Sequence, residues 1–171
     1  MIRIGLMSDT HSYLDDTIFQ YFESCDEVWH AGDFGSLDVV QRLQKFKPLL
    51  GVWGNIDAPS IRHYFDEHFV FKKENVKIYM THIGGYPGRY NPMAKKIIQA
   101  EQPKLFISGH SHILKVMPDK QHNLLHMNPG ACGQEGWHKM RTIIRFTIDD
   151  DIIKEAEVVE LGSRTVNFSK E

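Results

Sequence analysis

Cysteine is scarce in this chain, and long apolar runs are missing. The 171 residues include two cysteines, Cys25 and Cys132, and neither lies in a Cys-x-x-Cys pair. A zinc ribbon or a thioredoxin-like redox motif is therefore unsupported. No stretch of about 18 apolar residues occurs, so no membrane span is predicted. The first acid, Asp9, comes too early for a signal peptide, and the reducing cytoplasm is the expected location.

A basic excess is missing as well. The chain has 20 Lys+Arg against 22 Asp+Glu, which gives a formal net charge of −2. Proteins dedicated to nucleic acids usually carry a basic excess, so no stable nucleic-acid binding is expected. A small phosphoester substrate remains compatible with this charge, because bound metal ions would supply local positive charge.

Linkers, repeats and low-complexity stretches are also absent, and the length suits one domain over residues 1–171. Short apolar strands are predicted at residues 2–7, 27–30 and 49–53. Helical spacing over residues 14–24 and 36–46 separates them, and Ser12 with Asp15 resembles a capping box for the first helix. This alternation predicts a parallel sheet covered by helices.

The pattern changes in the second half of the chain. Residues 68–72 and 76–81 form a predicted hairpin, and Asn91-Pro92 begins a helix. A strand over residues 105–108 follows, and the later strands suggest an antiparallel meander. The predicted class is α/β, with a mixed or antiparallel sheet added by the second half. The four meander strands are residues 113–117, 124–127, 142–148 and 152–161.

Histidine, in contrast, is abundant, with ten residues. Five polar clusters rich in His, Asp and Asn each follow directly after a predicted strand. Ligands bind at the carboxyl ends of strands in open α/β sheets, so these clusters are expected to converge. The clusters are Asp9-Thr10-His11, Gly32-Asp33, Gly54-Asn55, Thr81-His82 and Gly109-His110-Ser111-His112.

The side chains in these clusters are typical metal ligands. Carboxylate oxygen, imidazole nitrogen and amide oxygen all bind Zn, Mn, Fe, Ni or Co. Two divalent ions about 4 Å apart neutralise a phosphoester and stabilise both the attacking and the leaving oxygen. They also lower the pKa of a bound water, to about 7 in the best-known zinc case. A carboxylate can bridge two ions, because its two oxygens can bind different metals.

In this order, the clusters resemble the calcineurin-like metallophosphoesterases. The pattern D-x-H, G-D, G-N, H, G-H-x-H is matched over residues 9–112, and Asn128-Pro129-Gly130 is similar to the small prokaryotic phosphodiesterase branch. The resemblance implies a four-layer α/β/β/α sandwich of two mixed sheets flanked by helices. It also implies phosphoester hydrolysis, with diesters favoured, by in-line attack of a metal-bridging hydroxide.

The resemblance further assigns roles to the matched residues. Asp33 would bridge two ions, and Asp33 and Asn55 would also serve catalysis. Manganese is the expected metal, and zinc, iron and nickel remain open. The ligands would be Asp9, His11 and His112 for the first ion, and Asn55, His82 and His110 for the second.

One position departs from the family pattern. Many members have His directly after Gly-Asn as a proton donor or phosphate contact, and this chain has Ile56. Isoleucine cannot donate a proton, so leaving groups of high pKa should be cleaved poorly, and activated aryl esters should suffer least. Asp57 either orients Asn55, holds water, or is an ordinary acid of a surface turn.

Several alternatives remain at this stage. In the segment 83–90, glycine N–H groups and Arg89 could bind phosphate, or the segment could be a mobile surface loop. His30 is either a support for the site or a satisfied strand histidine. The fold also resembles the retromer scaffold subunit, which lacks the same His, but seven complete ligand positions favour an enzyme. Apolar stretches on the later strands would allow a homodimer.

Overall fold

The structure is a computed structural model, and it describes residues 1–165. The prediction of one domain over residues 1–171 stays a prediction, and its last six residues lie outside the described part. In chain order, the elements are β1 (Ile2–Met7), α1 (Thr17–Tyr21), β2 (Glu27–His30), α2 (Leu37–Phe46), β3 (Leu49–Gly51), α3 (Pro59–Arg62), β4 (His68–Lys73), β5 (Val76–Thr81), β6 (Gly85–Tyr86), β7 (Arg89–Tyr90), α4 (Pro92–Glu101), β8 (Leu105–Ile107), β9 (Leu114–Asp119), β10 (Leu124–Pro129), β11 (Met140–Asp149) and β12 (Ile152–Ser163).

Two five-stranded mixed sheets form the centre of the fold. The first has the order β12-β11-β1-β2-β3, with β1, β2 and β3 parallel, β11 antiparallel to β1, and β12 antiparallel to β11. The second has the order β4-β5-β8-β10-β9, with a parallel centre of β5, β8 and β10 and antiparallel strands at both edges. The strands that precede the polar clusters are therefore central or parallel members of their sheets.

The hydrophobic pattern explains how the layers pack. Alternate residues of β1, such as Ile4 and Leu6, point into a core between the two sheets, where they join Trp29 and Met80. The helices α1 and α2 cover the outer face of the first sheet through a second core, and α4 covers the second sheet through Ala94 and its neighbours. The predicted α/β/β/α sandwich is confirmed.

Within residues 1–165, no helix is long and apolar enough to cross a membrane.

Two predicted features of the fold are wrong. The helix expected over residues 14–24 is only Thr17–Tyr21, because the carboxylate of Asp15 accepts the Thr17 N–H at 2.9 Å and pairs with Arg141 at 2.8 Å. Asp15 thus serves a turn and not a capping box with Ser12. The expected meander is also split, since β9 and β10 join the second sheet and β11 and β12 the first.

The predicted start of α4 is confirmed and can be tested. The Asn91 side chain accepts the N–H groups of Met93 and Ala94 at 3.0 and 3.4 Å. We expect Asn91→Ala to lower the free energy of unfolding by about 1 kcal/mol, because two N–H groups lose their acceptor. Denaturant unfolding would measure this, with Asn91→Asp as the control that keeps the cap. Equal losses in both variants would contradict the capping role.

Candidate metal centre

The seven predicted ligands lie at one edge of the sandwich, in the loops that follow β1, β2, β3, β5 and β8. Two groups of ligand atoms each fall within 4.8 Å of one another. Asn55 is exposed, and its Oδ1 lies 3.0 Å from His110 Nδ1, so it adjoins the second group. The structure thus brings all seven predicted residues together. The first group is Asp9, His11 and His112, and the second is Asp33, His82 and His110.

The two groups adjoin each other through their carboxylates. Asp33 Oδ2 lies 3.3 Å from His11 Nε2 and 3.1 Å from His82 Nε2, so it contacts one histidine of each group. Asp9 Oδ1 lies 3.1 Å from His112 Nε2 and 3.8 Å from both His11 and His82. A carboxylate between two sets of imidazoles is the geometry that a bridging ligand requires.

Four buried side-chain nitrogen or oxygen atoms make no hydrogen bond within residues 1–165, and three of them belong to this centre: Asp9 Oδ1, His11 Nε2 and His82 Nε2. An unsatisfied buried polar atom costs about 1–3 kcal/mol, so such a cluster calls for a partner. His82 Nδ1 donates to the Ala31 carbonyl at 2.7 Å, which leaves the Nε2 lone pair facing the carboxylates. The residues present therefore fit divalent cations.

The charges of the groups are strongly coupled. Burial alone would raise the pKa values of Asp9 and Asp33, but the adjacent imidazoles, His11 foremost, hold both well below their usual range. In turn, Asp33 and Asp9 raise the pKa of His11 to about 10, and they raise the pKa of His82 against the effect of its burial. Protons thus take the place of cations, and metal binding would displace them.

The backbone at the centre is strained. Five of the seven predicted ligands have left-handed backbone, a conformation that costs about 1–2 kcal/mol per residue for L-amino acids. Such strain persists only where surrounding structure fixes it, and it concentrates at functional sites. The five φ values are 56° for Asp9, 46° for His11, 59° for Asp33, 67° for His110 and 61° for His112.

Asp57 is a buried supporting residue, a role that none of its three predicted alternatives describes in full. It is buried, and Oδ2 accepts the N–H groups of Asp33 at 3.0 Å and Gly54 at 2.8 Å. Its Oδ1 accepts the Gly35 N–H at 2.9 Å. The carboxylate therefore fixes the Asp33 loop against the loop that carries Asn55. The sequence signal for this role was an acid beside two adjacent turns, because the backbone N–H groups of such turns need an acceptor.

His30 combines both of its predicted roles. Its Nδ1 accepts the Gly32 N–H at 3.1 Å, and its Nε2 lies 3.0 Å from Thr10 Oγ1. The ring stacks on Phe34 with 3.7 Å between centroids, and burial lowers its pKa to about 3. His30 is thus a neutral, satisfied core histidine that supports the loops carrying Asp9 and Asp33.

Two clefts border the centre. The narrow cleft, of about 270 Å³, lies between the segment 83–91 and residues 109–115 and includes His110. The wide cleft, of about 490 Å³, includes Asn55 and His82, and it meets the narrow cleft at Ile83. Arg89 lines the narrow cleft from the β6–β7 hairpin, where a loop was predicted.

These features describe a metal-binding α/β/β/α protein, and comparisons define its family. The calcineurin-like phosphoesterase superfamily domain matches residues 2–151, and the chain belongs to this superfamily. The resemblance to this family that the sequence showed is therefore confirmed. The family is metal-dependent.

Individual relatives agree with this assignment. A probable metallophosphoesterase of Methanothermobacter thermautotrophicus is 27% identical over 98% of this chain and 99% of that protein. An archaeal phosphodiesterase has a similar structure, with a TM-score of 0.77, 23% identity and coverage of 94% of this chain and 100% of that one. Vps29 from Entamoeba histolytica, solved with Zn²⁺, has a TM-score of 0.70 at 17% identity, covering 93% and 99%.

The supporting role of Asp57 leads to a prediction. We expect Asp57→Asn to lower the free energy of unfolding on the order of 2 kcal/mol, because charged acceptors of hydrogen bonds contribute more than neutral ones. Metal affinity should fall too, since Asp33 loses its fixed position. Denaturant unfolding and metal titration would measure both effects. The control is Asp38→Asn, which removes an exposed carboxylate on α2. If the two variants behave alike, Asp57 does not fix the loop.

Proposed function

We propose that this protein is a phosphodiesterase that uses two divalent metal ions, with manganese as the first candidate. The observation that carries the proposal is the cluster of buried, unpartnered ligand atoms in two adjoining groups. Membership of the calcineurin-like phosphoesterase superfamily supports the same reaction class.

Each side chain has a proposed role in this reaction. Asp9, His11 and His112 would hold one ion, Asn55, His82 and His110 would hold the other, and Asp33 would contact both. When bound, the ions supply a water of lowered pKa and neutralise the phosphoryl oxygens. The backbone N–H of Ile56 donates to Asp33 Oδ1 at 3.1 Å, which leaves Oδ2 directed at the histidines of both groups. Asn55 and Asp33 thereby orient the site on which the phosphoryl group lies.

The two clefts favour a diester over a monoester. A phosphodiester carries two ester groups, one on each side of the reacting phosphorus. The clefts share Ile83 and Asn91, and one includes His110 whereas the other includes His82. A monoester would fill only one of them. The archaeal phosphodiesterase of similar structure supports the same choice.

Metal removal gives the first test of the proposed function. We expect metal-stripped protein to be inactive toward bis-p-nitrophenyl phosphate, and manganese to restore turnover. Asp33→Ala should reduce the restored rate by about 10² or more, because a bridging charge that positions both ions is lost. The measurement is release of nitrophenolate with Mn, Ni, Zn or Mg added in turn.

Asp38→Ala is the matched control for the metal test, since it removes an exposed carboxylate that belongs to neither ligand group. Turnover that survives complete metal removal would contradict the proposal. Proven metal binding without turnover of any ester would favour the alternative, a protein-interaction scaffold on the same fold.

The residue at the family's proton-donor position gives the second test. Ile56 is 43% exposed and follows Asn55 directly, so a larger polar side chain is tolerated there. We expect Ile56→His to raise the rate with diphenyl phosphate by up to about 10², because phenol leaves poorly without a proton. Bis-p-nitrophenyl phosphate should gain far less. The control Ile56→Gln adds a polar group that is no acid, and equal gains for both esters would count against the missing-acid explanation.

A further inference from the structure

We propose that the narrow cleft binds an aromatic or heteroaromatic ester group of the substrate. This inference rests on the proposed phosphodiesterase function and names the substrate class of that site. The cleft begins at His110, a member of the second ligand group, so a group bound there is continuous with a phosphoryl group at the metal centre.

The walls of the cleft are mostly apolar although they face solvent, with Arg89 and Lys115 as the cationic side chains in the lining. Ile83, Tyr86 and Ile113 line it with 42%, 37% and 61% of their surfaces exposed. Exposed apolar side chains in one contiguous concave patch mark a binding surface more often than scattered ones do. Ile83 and Ile113 each follow a ligand histidine directly, so the apolar surface starts where the metal centre ends.

The aromatic wall is held in place. Lys115 Nζ lies 3.9 Å from the centroid of the Tyr86 ring, a cation–π contact that fixes one face of the ring. The remaining ring surface can make stacked or edge contacts with a planar group. The aliphatic side chains of Ile83 and Ile113 form walls that can also pack against a planar group. A flat ring therefore fits these walls, and the cations of Arg89 and Lys115 in the lining disfavour a positively charged ester group.

The floor of the cleft adds limited polarity. Asn128 is buried and fully engaged, since it donates to Gly109 O and Ser111 Oγ and accepts the Gly130 N–H. His126 is also buried, and its Nδ1 donates to the Phe106 carbonyl at 3.2 Å, so in the neutral ring Nε2 is an acceptor. A ring with an N–H or O–H at its edge, as in a nucleobase, matches this floor.

The size of the cleft agrees with this occupant. Its volume is about 270 Å³, whereas a buried cavity of about 150 Å³ is sufficient to hold benzene. One or two fused rings would fit.

Calorimetry with two phosphonates tests the inference without any turnover. Phenylphosphonate and methylphosphonate carry the same anionic group, and neither has an ester bond to hydrolyse. For the manganese-loaded protein, we expect phenylphosphonate to bind about tenfold more tightly, as ring contacts of this kind would give. In Ile113→Ser and in Tyr86→Ala, this preference should fall to about threefold or less, with methylphosphonate affinity unchanged.

Ile152→Ser is the matched control, because Ile152 is similarly exposed (57%) and lies at the start of β12, outside the cleft. It should keep the wild-type preference. Equal affinities for both phosphonates in the wild type, or a preference that survives in both cleft variants, would overturn the ring site alone. If neither phosphonate binds the metal-loaded protein, the proposed function fails together with the ring site.

Discussion

Two buried carboxylates that face one small space are the constraint on which this structure depends. Asp9 and Asp33 end neighbouring parallel strands, and both are withdrawn from water. Two such charges repel each other, and burial without partners costs several kcal/mol per ion. Each carboxylate therefore has one oxygen satisfied by the protein, through Ser8 or through the N–H of Ile56, while the other oxygen faces the histidines. The histidines, whose protons bound metal ions would replace, are what makes this burial stable.

The strain in the loops follows from that arrangement. Left-handed backbone directs the ligand side chains toward the centre. This conformation persists because buried side chains bind the backbone of these loops on the side away from the ligand atoms. Asp57 holds the Asp33 and Gly54 amides, and the neutral His30 holds the Gly32 amide and Thr10. These contacts stabilise a geometry that the isolated loops would not adopt. The described part of the fold thus places buried hydrogen bonds behind the candidate ligands and leaves three of the ligand atoms unpartnered.

The sequence predicted the candidate metal ligands better than the residues that hold their loops in place. The polar clusters could be found because apolar strands are easy to recognise and ligands gather at their carboxyl ends. Asp57 was ambiguous, because one acid in a turn looks the same whether it faces water or three amides. The meander prediction failed for a related reason. Alternating apolar residues identify a hairpin, but long-range packing decides which sheet it joins, and the chain changes sheets between β10 and β11. The β6–β7 hairpin has two-residue strands, too short to show any alternation.

The departure at Ile56 and the apolar surface of the narrow cleft lead to the same kind of substrate. Without a proton donor beside Asn55, the proposed reaction depends on a leaving group that departs readily as an anion. Alcohols of low pKa are commonly aromatic, since a ring delocalises the charge. An aromatic ester group is also what the surface formed by Ile83, Tyr86 and Ile113 would bind. An isoleucine in place of the proton-donating histidine is therefore compatible with such a substrate, because an aromatic leaving group of low pKa departs without receiving a proton.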